Sequence, residues 1–458
     1  MRLLKRLQRS LREARVEFGT GDELDEMSRI LESTPEIGKV YEAILKDVNG
    51  KIGSRKGRDG LSAEQIVKLG ILRKRLGLTY RGLSEASADS LSMRRFLDLP
   101  FGEKLSRSAI HSNLKAISDS TWELLHQSLT KYALGEGYEN GKSIRSDCTT
   151  VETNIHYPTD ASLSNDCVRV LTRAMELAHD VLGEEVVYID HRRRSKSRLY
   201  KINNIRSNER RHPHYLDLIR LLRKTIAHAQ EVQLVVAKAQ CADLSQMLKI
   251  MNAEADLKTY IPRAENVLDQ AYRRVVKKEE VPAQEKIFSI FEEHTDIIVK
   301  GFRDVVFGHK VRLTTGQSCL MLQLEILDGN PKDSTLVPDI LQDHTDVFKS
   351  APEQAAFDGC FASFDNRDLL KEAGVKELTF SKNLSMSLES LVSSKAKHRK
   401  LLRFRAGVEG CISFLKLIFS FSRVLDRSKE TFKAALHLGA AAYNLTLLAR
   451  YNIARAAT

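Results

Sequence analysis

The chain has 458 residues, 42% of them hydrophobic, a formal net charge of +12 and a pI near 9.3. That length suits two or three domains with a sizeable core, and the basic balance favours a polyanionic partner, nucleic acid above all. No run of 18 apolar residues occurs, so no helical membrane span is expected. The six cysteines include no CxxC pair, which points to reduced thiols in a cytosolic protein rather than a zinc site or a disulfide framework.

The N-terminus, M-R-L-L-K-R-L-Q-R-S-L-R-E-A-R, has the pattern of a basic amphipathic helix, and with no continuous apolar stretch it is not expected to be a signal peptide. Residues 1–140 are expected to be all helix. Ser62-x-x-Gln65 forms a capping box, Gly77 is a stop, Thr79 caps the next helix, and Ser106 or Ser108 caps another. Short helices with tight turns suit a helix-turn-helix DNA reader. The segment 106–117, with Arg107 near its start, is the candidate for the major groove. The alternative is a helical dimerisation or packing domain.

A Gly-rich break at 133–142 precedes a strand, S-I-R-S-D-C-T-T-V-E-T-N-I. Asp147 sits in the middle of it, where propensity disfavours aspartate, and such local rule-breaking tends to mark a site. Residues 165–299 are expected to interrupt the strands with long helices. Within them, 190–212 carries nine Lys/Arg against two acids, including Arg192, Arg193 and Arg194. The block is either a phosphate-contacting patch or a solvated face.

From residue 305 two strand-like runs form a hairpin, V-V-F-G-H-K-V-R-L-T-T-G and C-L-M-L-Q-L-E-I-L-D-G. His309 and Lys310 lie on the first, as DNA contacts or as surface residues. A short strand then ends at Asp358, followed by a helix, another strand, and a helix carrying R-F-R-A-G-V-E-G-C-I-S-F-L-K-L-I-F-S-F-S-R at 403–423. At about 100° per residue, Arg405, Glu409, Lys416 and Arg423 share one narrow polar stripe, and the rest from Cys411 to Phe421 is largely apolar. A carboxylate in such a stripe is costly to bury unless it is paired or holds a metal; an i,i+4 ion pair between Arg405 and Glu409 is the plainer alternative. Without the insert, the order is that of a mixed α/β sheet of the ribonuclease-H-like type.

Several of these stretches resemble DDE transposases of bacterial insertion sequences. Arg405-x3-Glu409-x6-Lys416 matches the spacing around the family's catalytic glutamate, and T-N-I-H-Y-P-T-D at 153–160, with His156 and Thr159, matches the segment after its first aspartate. G-L-T-Y-R-G-L-S-E and M-R-R-F-L-D-L match the family's helical N-terminal domain, and Phe361 stands where the family has an aromatic. The resemblance covers most of 60–160 and 305–450. Two departures stand out. Leu402 replaces a usual tyrosine, and the insert follows the first aspartate instead of lying between the second aspartate and the glutamate.

The resemblance implies a helical DNA-binding or dimerisation domain at 1–140 and a ribonuclease-H-like catalytic core at 141–164 plus 300–427. It further implies a helical insertion at 165–299 and a C-terminal helix at 428–458. Asp147, Asp358 and Glu409 would hold two Mg²⁺ ions, with Mn²⁺ as substitute, clamping a phosphate in line. Arg405 and Lys416 would hold DNA phosphate. The implied protein is a cytoplasmic, nucleoid-associated prokaryotic enzyme, at least dimeric on double-stranded DNA, that cleaves and joins strands at terminal inverted repeats. A ribonuclease-H-like endonuclease or junction resolvase, or a non-enzymatic basic DNA-binding protein, are the competing expectations.

Overall fold

The structure is a computed structural model and describes residues 19–52, 60–240, 243–300, 304–382 and 385–457; the expected basic helix at 1–15 lies outside them. The chain is mixed α/β and divides into two compact units, 155–297 and the remainder. No helix among the described residues is long and apolar enough to cross a membrane.

The larger unit begins with helices α1 (Gly19–Ser33), α2 (Ile37–Ile52), α3 (Ala63–Leu76), α4 (Tyr80–Asp89), α5 (Leu91–Phe96), α6 (Arg107–Ala116) and α7 (Asp119–Gly135). Their boundaries follow the local chemistry. The hydroxyl of Ser62 and the side chain of Gln65 cap each other's backbone at the start of α3. Gly77 ends that helix with φ +60, and Thr79 and Ser106 cap α4 and α6. Helix α3 is buried on nearly every side, including Lys68, whose ammonium sits 2.9 Å from Glu64 and 3.2 Å from Asp98. These helices do not form a core of their own, as the expected boundary at 140 implied. Ile66, Leu69, Trp122 and Leu129 belong to one hydrophobic cluster with Ile144, Leu313 and Phe357 of the sheet and with α16 (Lys429–Ala456). The reason is α16: its Ala-rich run is buried almost all round, against α7, α3 and α1.

The sheet has six strands: β1 (Ser143–Glu152), β2 (Asp296–Lys300), β3 (Asp304–Thr315), β4 (Met321–Ile326), β5 (Gln354–Phe357) and β6 (Glu377–Phe380). Their order is β2-β3-β1-β5-β6, with β4 also on β3. β1 and β4 run antiparallel to β3, while β5 and β6 run parallel to β1. The short strand β2 falls where helix was expected. Its D-I-I-V-K offers too few residues for either periodicity to register. Between the strands come α12 (Val337–Phe348) and α13 (Phe364–Glu372), and after β6 come α14 (Leu388–Leu391) and α15 (Lys395–Ile418). Gly308 lets β3 approach β1, since a Cβ there would lie 2.0 Å from the carbonyl oxygen of Val151.

Helix α15 corrects an expectation. It stops at Ile418 instead of running through Phe421, and Leu417 is 78% exposed. Ser420 turns the chain with φ +65, and Phe419 folds into the core edge-on to Phe414 and Tyr443. The apolar run is therefore a helix end followed by an extended core segment, two elements that hydrophobicity alone does not separate.

The smaller unit packs α8 (Asp160–Leu182), α10 (Asn208–Val236) and α11 (Leu244–Tyr272) around an apolar cluster that includes Leu171, Leu222 and Leu257, while α9 (Arg192–Asn204) is held by a small separate cluster of Ala161, Ile202 and Leu218. It begins about ten residues before the expected 165. Thr159 of the T-N-I-H-Y-P-T-D motif is the N-cap of α8, and His156 lies 3.5 Å from Asp166 on the same helix.

Candidate functional site

The rungs between β1, β5 and β6 place one row of polar side chains. Ser146 pairs with Phe357, and Phe357 pairs with Phe380. One residue further along three adjacent parallel strands stand Asp147, Asp358 and Ser381. Neighbouring strands lie about 4.8 Å apart, so two carboxylates separated by 211 positions in the chain become neighbours. Ser381 donates its hydroxyl to Asp358 Oδ1 at 2.6 Å and accepts from the Gly359 N–H at 2.8 Å. The Cys148 N–H donates to Asp147 Oδ1 at 2.7 Å.

Helix α15 packs over this end of the sheet and brings Arg405 into the row. Its Nη2 lies 3.3 Å from Asp147 Oδ2 and 3.1 Å from Asp358 Oδ1, and its Nη1 lies 2.9 Å from Glu409 Oε1. One guanidinium thus ties together all three carboxylates expected from the sequence. The i,i+4 pair foreseen between Arg405 and Glu409 is present as part of this cluster. Glu409 differs from expectation in being outward-turned, its side chain 67% exposed. It extends from the exposed edge of α15, so burial imposes no cost on its charge.

The two aspartates are driven apart electrostatically. Burial pushes Asp147 up from 3.8 to about 6, outweighing the Cys148 N–H and the Arg405 charge, and Asp358 and Asp333 add repulsion. Burial also acts on Asp358. There the Ser381 hydroxyl, the Gly359 N–H and Arg405 together prevail, holding it below its ordinary value. Adjacent carboxylates with opposite displacements are the arrangement that separates a proton-bearing from an ionised group near neutral pH.

Arg145 was not singled out from the sequence, yet it fixes the helix over the strand. It lies two residues before Asp147, hence on the same face of β1. It is 4% exposed and donates to Thr315 Oγ1 (2.9 Å), to the Phe404 carbonyl (2.6 Å) and to Cys319 Sγ (3.0 Å). Gly407 makes room for it, because a Cβ there would lie 2.1 Å from Arg145 Nη1. The available signal was alternation: a second charged residue on the strand face that carries Asp147. Ser381 gave no such signal, since only the β5–β6 register brings it beside Asp358.

The expected DNA contacts fall into three groups. Lys416 lies half-buried in the last turn of α15, two turns beyond Glu409, and Arg107 is exposed in the first turn of α6. There Arg107, His111 and Lys115 border a cavity of about 330 Å³ shared with Arg73 and Asp426. His309 and Lys310 are not surface residues. His309 is 1% exposed and packs edge-on against Phe432, so it presents nothing to DNA. Lys310 is 9% exposed, and its ammonium is held by the Pro331 carbonyl and by Asp333, both at 2.7 Å. In the smaller unit Arg192 is tied to Glu176 and Asp190, and Arg194 to Asp217, whereas Arg193 is exposed.

The donor set fits a hard divalent cation: carboxylate oxygens surround a positive group, with no nitrogen or thiolate ligand among them. Among the described residues, no three His, Cys, Asp or Glu side chains already stand as a metal-binding group. The cation between the acids is Arg405. Compared with family models, curated proteins and solved structures, the chain has no match.

Proposed function

We propose that the chain is a DNA transposase of the DDE type, cleaving and joining DNA strands at the ends of an insertion sequence. The observation that carries this reading is the convergence of Asp147, Asp358 and Glu409 on one guanidinium at the end of the parallel strands. The strand arrangement supports it: β1, β3 and β4 form an antiparallel set, and β5 and β6 are added parallel to β1, as in a ribonuclease-H-like core. The charge of +12 agrees with a polyanionic substrate.

On this reading Asp147, Asp358 and Glu409 hold two Mg²⁺ ions. When bound, such a pair would activate a water or the DNA's own 3′-hydroxyl as nucleophile and stabilise the leaving oxygen. The chain's own residues do the rest. Asp147 must be ionised to serve, so a bound cation would displace the proton that burial favours there. Ser381 and the Gly359 N–H hold the Asp358 carboxylate in one orientation. Glu409, exposed on α15 and paired with Arg405, would turn inward once Arg405 shifts to phosphate. Arg405 passes its donors from the carboxylates to the phosphate flanking the scissile bond, a bidentate contact that lysine cannot reproduce.

The test is strand cleavage on a labelled duplex carrying the DNA that flanks the gene, with Mg²⁺, with EDTA and with Glu409→Gln. Nicking at a fixed position that needs the metal and disappears in the variant is expected. Joined products distinguish a transposase from a nuclease that stops at cleavage. Cutting that persists in both Glu409→Gln and Asp147→Asn would overturn the assignment.

A further inference from the structure

We infer that the smaller unit carries a DNA-binding surface of its own, formed by the outer face of α9 and the start of α10 and directed at the phosphate backbone. This rests on the transposase reading only for its choice of polyanion.

The surface is a consequence of how charges are sorted in the basic block. Arg192, Arg194 and Arg198 use the nearby acids, pairing with Glu176, Asp190 and Asp217 at 2.5–2.8 Å. Arg211 donates to the Ile205 carbonyl. These four hold the helix in place. Its inner side adds Ser195, fully buried and bonded to Asn165 at 2.9 Å, and Ile202 packed beside Ala161 and Leu218.

The remaining cations point the other way. Arg193 and Lys196 share one face of α9 with Tyr200, which is 69% exposed. Lys201, Arg206 and Arg210 continue the exposed set, and none of these five cations has a partner among the described residues. Helix α9 contains no acid, and Glu209 is the one acid between His191 and Leu216. Like charges held at this density repel one another, and Glu209 is a single acid against five cations. Guanidinium groups interleaved with an exposed aromatic suit phosphate and sugar contacts. A helix of 13 residues is about 20 Å long, the rise of about six base pairs. Docking along its inner side makes the surface rigid, so DNA binding requires no folding of the segment.

The experiment measures binding of the full chain to a labelled duplex by anisotropy over a salt series. The variant is Arg193→Gln/Lys196→Gln/Arg206→Gln/Arg210→Gln, and the control is Lys238→Gln/Lys249→Gln/Lys258→Gln, exposed elsewhere in the same unit. The quadruple variant is expected to lower the slope of log affinity against log salt by up to about 3.6, at about 0.9 for each phosphate no longer neutralised. The control should change the slope by less than about 0.9. An unchanged slope in the quadruple variant overturns the surface, as does a wild-type chain that binds no duplex. Binding to phosphatidylserine vesicles that depends on these four residues, with duplex binding untouched, would assign the patch to a lipid surface instead. Cleavage retained with an unaltered slope removes this surface and leaves the carboxylate site standing; the altered slope in a chain that never cleaves does the reverse.

Discussion

At the scale of single residues, Asp147 determines how the site responds to pH. Its carboxyl is raised from 3.8 to about 6, and its side chain is 17% exposed. Between those values the native chain holds a proton that the unfolded chain has released, so stability falls as pH rises from about 4 to about 6 and then levels off. Two units correspond to roughly 3 kcal/mol as an upper bound. Asp147→Asn should therefore be more stable than the native protein at pH 7.5, by up to about 3 kcal/mol in urea denaturation, with the difference vanishing near pH 4. A variant equally or less stable at pH 7.5 would show that Arg405 fully compensates the buried charge. Arg405→Gln removes a group that lowers Asp147, so the carboxyl should titrate above about 6 in that variant, read by isotope-edited infrared spectroscopy. Asp147 was legible from the sequence because aspartate is out of place in mid-strand. Its raised pKa was not, because the burial depends on α15 and the repulsion on Asp358 and Asp333, which neighbour it only in space.

At the scale of elements, the placement of α15 on β1 depends on Arg145 and Gly407. Gly407→Ala should gain helix propensity, worth about 1 kcal/mol at an unconstrained helix position. Here the new methyl meets the Arg145 guanidinium, and overpacking costs about 1–3 kcal/mol. The substitution is expected to destabilise the native protein and to stabilise an Arg145→Ala background, a reversal that a double-mutant cycle by thermal or urea unfolding detects. Within α3, Lys68→Ala leaves Glu64 and Asp98 buried without their cation and should cost about 3–5 kcal/mol. Lys68→Met with Glu64→Gln and Asp98→Asn should recover much of that loss. Element boundaries set by caps were readable in advance, since Ser62, Gly77, Thr79 and Ser106 act on their own neighbours. The end of α15 was not, because Phe419 and Phe421 are buried by partners on α16 that no local pattern announces.

At the scale of the molecule, the two apolar clusters share no residue. Leu257→Ala should cost about 2–5 kcal/mol and speed amide exchange throughout α8, α10 and α11. The amides of β1 and β3 should exchange as before. Faster exchange in β1 would mean that the two clusters unfold as one. The N-terminal helices should behave in the opposite way. They share the sheet's core, so Trp122→Ala is expected to raise exchange in β3 and β4 as well as in α7.

The chain's composition and local patterns determined its basic character, the helical beginning, the hairpin of β3 and β4, and the identity of the three acids. The first three rest on charge, period or capping over a few residues, and the three acids on the wording that resembles DDE transposases. The tertiary structure alone decided that Asp147 and Asp358 share a row with Ser381, that Arg405 binds all three acids at once, and that His309 is core while Arg193 is surface. It also decided that the N-terminal helices join the sheet in one core. These follow from strand register and from packing between segments hundreds of residues apart, and a linear pattern holds no information about which of its apolar faces will meet.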